Sequence, residues 1–203
     1  MSLGGRRRWR KRELMYRADD DVHMFYKITK GFVAESRTLE DGRRQIVGIR
    51  TVGDLCGYPV HLGTHLFSAE ALTEVEACAF ERNKLEAFVA RHIDLADARA
   101  EEVSDRFKRA TENLTVIGQL KSTERVAHFL IEMDELTVAR QVGTHPLVLH
   151  LTRQEIADYL GLTLETVSRS FSKLKEMQVI ALVGGDSIAI LNEQRLSDIG
   201  KIS

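Results

Sequence analysis

Two periodicities divide the chain. From Glu13 to about Phe80, short apolar runs recur between turn signals: ELMYR, HMFYKI, GFVAESRT, RRQIVGIR and VEACAF, broken by Asp19-Asp20-Asp21, Gly31, Asp41-Gly42 and Gly53-Asp54. Closely spaced runs of this kind predict antiparallel strands in a sandwich or barrel. Asp41-Gly42 is the clearest hairpin signal, and as a two-residue turn it calls for positive φ at both central positions. The run RNKLEAFVARH then predicts a short amphipathic helix over about residues 82–92.

From Leu95 to Leu120 the pattern changes. Neither Pro nor Gly occurs before Gly118, and Val103, Phe107, Ala110, Leu114 and Ile117 follow one another at spacings of four, three, four and three. That is a heptad seam. A helix of this length runs about 39 Å, too long for a packing helix in so small a domain. With charged residues flanking the seam, it is expected to pair with a second copy across a two-fold axis. A hinge near Lys121 precedes a helix opened by Ser122, with Val126, Phe129, Leu130 and Met133 on one face. The segment VGTHPLVLHL predicts a short strand pair before the next helix.

The sequence LTRQEIADYLGLTLETVSRSFSKLKE reads as two short helices joined by a tight turn. Thr152 and Glu155 have the spacing of a capping box. Ile156, Ala157 and Leu160 form an inner face, with Ala157 small where a second helix crosses. Gly161 ends the first helix, because it takes positive φ without steric cost. Thr163 is placed to cap the second, in which Val167, Phe171 and Leu174 make the buried stripe. The opposite face is left to Glu165, Thr166, Ser168, Arg169, Ser172 and Lys173. Such a face suits a helix that reads the major groove: Arg169 can donate twice to a guanine edge, Glu165 can accept from a cytosine amine, and Ser168 can do either. Thr152, Arg153, Gln154, Thr163, Thr166 and Lys173 are the candidate phosphate-backbone contacts. A hairpin, QVIALV then GGD then SIAIL, supplies a wing.

Composition adds bounds. The 203 residues, 43% of them hydrophobic, suffice for two modest cores. The formal net charge of -1 gives no global affinity for nucleic acid, so any basic surface is local. One local excess stands at the start, where GGRRRWRKR puts six basic residues between Arg6 and Arg12. The simplest reading is a solvated end, the alternative a phosphate contact. The Met1-Ser2-Leu3 start is similar to an expression leader, which carries the expectation that natural sequence upstream was trimmed. Cys56 and Cys78 lack metal or disulfide spacing and fit a reduced compartment. No apolar run approaches membrane-spanning length, so a cytoplasmic protein without a membrane partner is expected. No nucleophile-base pair, phosphate loop or metal constellation points to an enzyme. His61 and His65 in HLGTH have no further ligands near them in sequence.

Across nearly its whole length the chain resembles the CRP/FNR family of bacterial regulators. The motifs that carry the resemblance are RRQIVGIRTVGDLCG and LTRQEIADYLGLTLETVSRSFSKL. It implies an α+β protein: an N-terminal antiparallel β-roll of cyclic-nucleotide-binding type over residues 1–93, a long dimerisation helix over 94–120, and a C-terminal winged helix-turn-helix over 121–203. Glu165, Ser168 and Arg169 match the Glu-x-x-Ser-Arg signature of the FNR and FixK branch. The CRP branch has Gly before that Arg, and Arg where Leu164 stands. The resemblance further implies a homodimer on double-stranded DNA, at a TTGAT-N4-ATCAA type palindrome, acting as an activator that contacts RNA polymerase.

The departures concern effectors. Relatives that bind cyclic AMP have a Glu shortly after the GD turn and an Arg-Ser pair for the phosphate, where this chain has Tyr58 and Ser68-Ala69. No cyclic nucleotide is expected. Relatives with an iron-sulfur cluster use three N-terminal cysteines and one in the roll. Cys78 matches the last and the others are missing from this sequence, so no cofactor is expected and Cys78 reads as a small packed residue. The alternative function is a regulator whose roll is gated by an unidentified ligand, haem or redox change.

Overall fold

The computed structural model describes residues 4–57, 63–139 and 146–202. The chain forms two compact units, Met1–Ala110 and Thr111–Ser203. Met1-Ser2-Leu3, Tyr58 and His61 lie outside the described residues.

The first unit holds two four-stranded sheets, antiparallel at every pairing. One runs β1 (Gly4–Trp9), β8 (Val75–Glu81), β3 (Met24–Lys30), β6 (Leu55–Cys56). The other runs β2 (Leu14–Tyr16), β7 (Ser68–Ala71), β4 (Val33–Thr38), β5 (Arg44–Arg50). Alternation sets their faces: on β8, Val75, Ala77 and Ala79 are buried while Glu76, Cys78 and Phe80 are half-exposed. The inner faces meet in a core containing Trp9, Tyr26, Ile28, Val33, Cys56, Ala69 and Ala71. Trp9 stands edge-on to Tyr26 at 5.2 Å between ring centroids. A short helix α1 (Arg82–Val89) leads to the long α2 (Ile93–Gln119), whose last turns belong to the second unit.

Several expectations change here. The basic N-terminal segment is no solvated end: β1 pairs along its whole length with β8, from Gly4 opposite Phe80 to Trp9 opposite Val75. Trp9 buries its indole, and that anchors a strand whose other side chains are exposed. Strands β6 and β7 were unforeseen. At the hairpin between β4 and β5, Gly42 has φ +84 and Asp41 is not among the residues of positive φ. The amide of Gly42 donates to the carbonyl of Leu39, and that of Leu39 to Arg43. The loop is therefore longer than two residues, with a single left-handed position, as in hairpins built on a type I turn.

In the second unit, α3 (Ser122–Ala139) buries Val126, Phe129, Leu130 and Met133. It is followed by β9 (Leu147–Val148), α4 (Arg153–Leu160), α5 (Leu164–Glu176), β10 (Ile180–Gly184), β11 (Ser187–Ile190) and α6 (Glu193–Gly200). The expected local strand pair before α4 is one strand among the described residues. Its partner is distant in sequence: β9 adds to β11, making the wing hairpin a three-stranded sheet. Helix α6 approaches α3 so closely that a Cβ on Gly200 would fall 2.6 Å from the amide nitrogen of His128. The carbonyl of Gly200 accepts from Nδ1 of His128 at 2.9 Å.

Candidate nucleic-acid interface

Local sequence builds the two helices in the predicted way. Thr152 caps α4: its hydroxyl accepts from the amide of Glu155 at 3.2 Å, and the Glu155 carboxylate accepts from the amide of Thr152 at 2.7 Å. Two orphan amides are thereby satisfied reciprocally. Gly161 closes the helix in the left-handed region at φ +63. The Thr163 hydroxyl then accepts from the amide of Thr166 and caps α5. Val167, Phe171 and Leu174 are buried beneath α5, and Ile156, Ala157 and Leu160 beneath α4.

With one face buried, α5 turns the other outward. Glu165, Ser168, Arg169, Ser172 and Lys173 are all exposed. The carboxyl of Glu165 is held below its ordinary range, first by its own backbone amide and then by the Thr163 hydroxyl and Arg169. It stays an acceptor near neutral pH. Arg169 donates from Nη2 to the hydroxyl of Thr166 at 3.3 Å, and that hydroxyl lies 3.0 Å from the hydroxyl of Thr163. The cap of α5 thus also steers the guanidinium along the exposed face.

The remaining candidates differ in what they have to spare. Lys173 is exposed in the last turn of α5. Gln154 donates to Asp158 at 2.8 Å, a bond within α4. Arg153 is half-buried, with its guanidinium carbon 3.4 Å from the centroid of the Phe171 ring. Burial draws its pKa down, partly offset by Asp186. Sequence reading missed this stack, a cation-π contact that ties α4 to α5. It also missed the buried Tyr159, which donates to Glu132 at 2.8 Å and accepts from the Asn113 amide at 3.1 Å. That hub joins α4, α3 and the last turns of α2. Arg125 adds a second tie, donating to the carbonyls of Leu120 and Leu160.

Along α2, Phe107 and Leu114 are 73% and 72% exposed and Val103 39%. Ala110 is exposed and Ile117 half-buried.

Comparisons with known proteins place this geometry. A Crp-like helix-turn-helix domain matches residues 124–199 and a cyclic nucleotide-binding domain matches residues 6–92. The nitrogen fixation regulation protein FixK of Bradyrhizobium diazoefficiens is 34% identical over 96% of this chain and 81% of that protein. The FixK of Rhizobium meliloti is 38% identical over 86% and 77%. This chain is a FixK-like member of the CRP/FNR family. The structure of FixK2 from Bradyrhizobium japonicum superposes with a TM-score of 0.91 at 30% identity, covering 100% of both chains. The transcriptional activator protein FnrL of Cereibacter sphaeroides is 33% identical over 87% of this chain and 73% of its own.

The domain that matches residues 6–92 is described as cyclic nucleotide-binding, and the described residues of the roll in this FixK-like chain fit such a ligand poorly. The Glu35 carboxylate, 3% exposed, lies 2.8 Å from Arg50; burial draws the guanidinium's pKa down, and Glu35 foremost among its acidic neighbours more than reverses this. It also accepts from the Tyr16 hydroxyl at 3.2 Å, and that hydroxyl accepts from the amide of Gly57 at 2.7 Å. His65 stacks on Tyr16 at 3.9 Å. The cavity left beside Tyr16, Glu35, Gly57, His65, Phe67 and Arg106 is about 40 Å³. That admits water, not a ligand site of several hundred Å³. A cyclic phosphate there would face a carboxylate, with Arg50 already committed.

Proposed function

We propose that this protein is a cytoplasmic homodimeric transcription activator that binds a TTGAT-N4-ATCAA type palindrome and contacts RNA polymerase, without enzymatic activity and without a cyclic nucleotide effector. The observation that carries the reading is the outward face of α5. Glu165, Ser168 and Arg169 stand together in solvent on a helix capped at Thr163 and packed through Val167, Phe171 and Leu174. These three read base edges; Thr152, Gln154, Thr163, Thr166 and Lys173 hold phosphates, and Arg153 contributes what its stack on Phe171 leaves free.

A roll over residues 1–93 and a reading module over 121–203 are joined by a dimer helix over 94–120. Its seam is Val103, Phe107, Ala110, Leu114 and Ile117. The exposure of Phe107 and Leu114, seven residues apart, supports it, since a second helix would remove both from water. The names of FixK and FnrL relatives support activation. The ligand-gated alternative has less support, because the roll's interior is filled by its own Glu35–Arg50 pair.

A gel shift tests the reading. Purified protein should retard a duplex carrying the palindrome at concentrations where a duplex with both half-sites scrambled stays free. Equal retardation of the two would show charge-driven binding and overturn the reading.

A further inference from the structure

The last turns of α2 carry two faces of different character. Asn113, Val116, Ile117 and Leu120 recur at i, i+3, i+4 and i+7, a spacing that puts them on one side of the helix, and all four are buried or half-buried. Leu114, the next residue after Asn113, is 72% exposed. Consecutive helical residues point about 100° apart, so a single turn offers one face to its own helix-turn-helix module and another to the proposed seam. Whatever fixes the module to the first face therefore fixes it to the second with little slack.

Three separate contacts do the fixing. The side-chain amide of Asn113 donates to the Tyr159 hydroxyl at 3.1 Å, that hydroxyl donates to Glu132 of α3 at 2.8 Å, and the Tyr159 ring lies 5.7 Å from the Phe129 ring between centroids. A Cβ on Gly161, in the tight turn between α4 and α5, would stand 3.8 Å from the Ile117 side chain, so the turn itself rests on α2. Arg125 donates from Nε to the carbonyl of Leu120 at 2.9 Å and from Nη1 to that of Leu160 at 3.2 Å. These carbonyls stand at the C-terminal ends of α2 and α4, where a helix leaves its last acceptors without an internal partner. One guanidinium thus satisfies the ends of two helices. Tyr159 is buried, and a buried polar group is costly to leave unpaired, so swinging α4 away from α2 has to break all these contacts together.

We infer that Asn113, Tyr159 and Arg125 are positioning residues that set the spacing at which two copies of α5 are presented, and hence the preference for a four-base-pair spacer. The inference rests on the proposed function, from which it takes the seam at Leu114 and the N4 palindrome. One inserted base pair moves a half-site by about 3.4 Å and turns it by about 36° about the duplex axis. A module hinged loosely on α2 could follow that displacement. One held by the Asn113–Tyr159 bond, the seated Gly161 turn and the two-headed Arg125 loses those contacts if it follows. None of the three residues is among the base or phosphate contacts proposed above, so they act through the placement of α5. A module held in its binding orientation also loses less freedom when it docks.

The test measures the affinity of the full chain for palindromes with N3, N4 and N5 spacers. The parent should prefer N4 over either neighbour by roughly tenfold or more, because a wrong spacer prevents both half-sites from being engaged at once. Asn113→Ala cuts the tie on the α2 side and leaves the Tyr159–Glu132 bond in place. It should bind N4 roughly threefold to fivefold more weakly and N5 no more weakly than the parent, so that the preference falls to about threefold or less. Tyr159→Phe, which keeps the ring beside Phe129, and Arg125→Met should act alike, with circular dichroism showing the helices retained. A purely structural role would lower affinity for all three spacers by one factor; an unchanged preference of that kind in the folded variants overturns the inference and leaves the proposed function standing. Loss of preference together with dissociation into monomers on sedimentation assigns the effect to the seam and overturns it too, as does a parent that binds N3, N4 and N5 alike. If the parent retards the N4 palindrome no better than a duplex with scrambled half-sites, the functional reading fails and the inference with it.

Discussion

Arg169 and Lys173 stand one turn apart on α5, both exposed, but their surroundings prepare them for different work. Arg169 is steered by the Thr166 hydroxyl toward the first turns of the helix, while Lys173 stands in the last turn. Arg169→Ala should cost roughly 1–3 kcal/mol of binding and relax preference at one base position; Lys173→Ala should weaken all sequences alike and reduce the salt slope by about one. Competition binding against singly substituted half-sites checks both, and a uniform loss in both variants would sink the groove assignment. His65 gives a different residue-scale prediction. Burial against Tyr16 lowers its pKa from the ordinary 6.5, with His23 acting the same way and Asp20 and Glu35 opposing. The unfolded chain then takes up the proton first as pH falls, so the contribution of neutral His65 is present above about pH 6.5 and is lost below it. Urea unfolding at pH 7 and pH 5 should show a smaller loss in His65→Phe than in the parent.

At the scale of elements, α2 carries the clearest expectation. Phe107→Glu with Leu114→Glu would set four carboxylates along a two-fold seam, and sedimentation should show dimers giving way to monomers with helix content kept. Palindrome affinity should fall with it, because a monomer engages one half-site. A dimer that survives both charges would displace the seam from these residues. Helices were legible in sequence because their signals are local and redundant: the Thr152–Glu155 box, Gly161, and the stripe of Val167, Phe171 and Leu174 agree with one another. β1 was hidden because only Trp9 of its six residues is buried, which leaves no alternation to read. β7, with Ser68-Ala69-Glu70-Ala71, is short and carries small side chains in the core. The partner of β9 could not be read either, since pairing with β11 spans about forty residues and leaves no local mark. Glu35 and Arg50 show the same limit in the roll. A charge in a strand reads as an outward position, and only the neighbouring strand reveals that Glu35 is buried against a half-buried Arg50.

For the whole molecule, the charge distribution and the filled roll bear on the same question, what controls DNA binding. A net charge of -1 spread evenly would disfavour association with a polyanion, so binding depends on α5 and on other local cations. In a ligand-gated regulator, the effector must bind one state of the roll better than another. Here the interior that would discriminate is occupied by Tyr16, Glu35, Arg50 and His65, and Arg106 of α2 donates to the carbonyl of Leu55 within the same unit. The protein should therefore bind its palindrome as purified. A cyclic nucleotide held with a Kd of 100 μM would, at 1 mM, stabilise the fold by about 1.4 kcal/mol. In a chain of this size that corresponds to a rise of roughly 3–6 °C in Tm. No such rise is expected with cyclic AMP or cyclic GMP, and none in palindrome affinity. A shift of that size, accompanied by tighter DNA binding, would mean that the Glu35–Arg50 pair opens to admit a ligand. Glu35→Gln separates the cases: it removes the charge that repels a phosphate, so a roll that can open should bind the nucleotide more tightly in this variant, while one that stays closed should remain unresponsive.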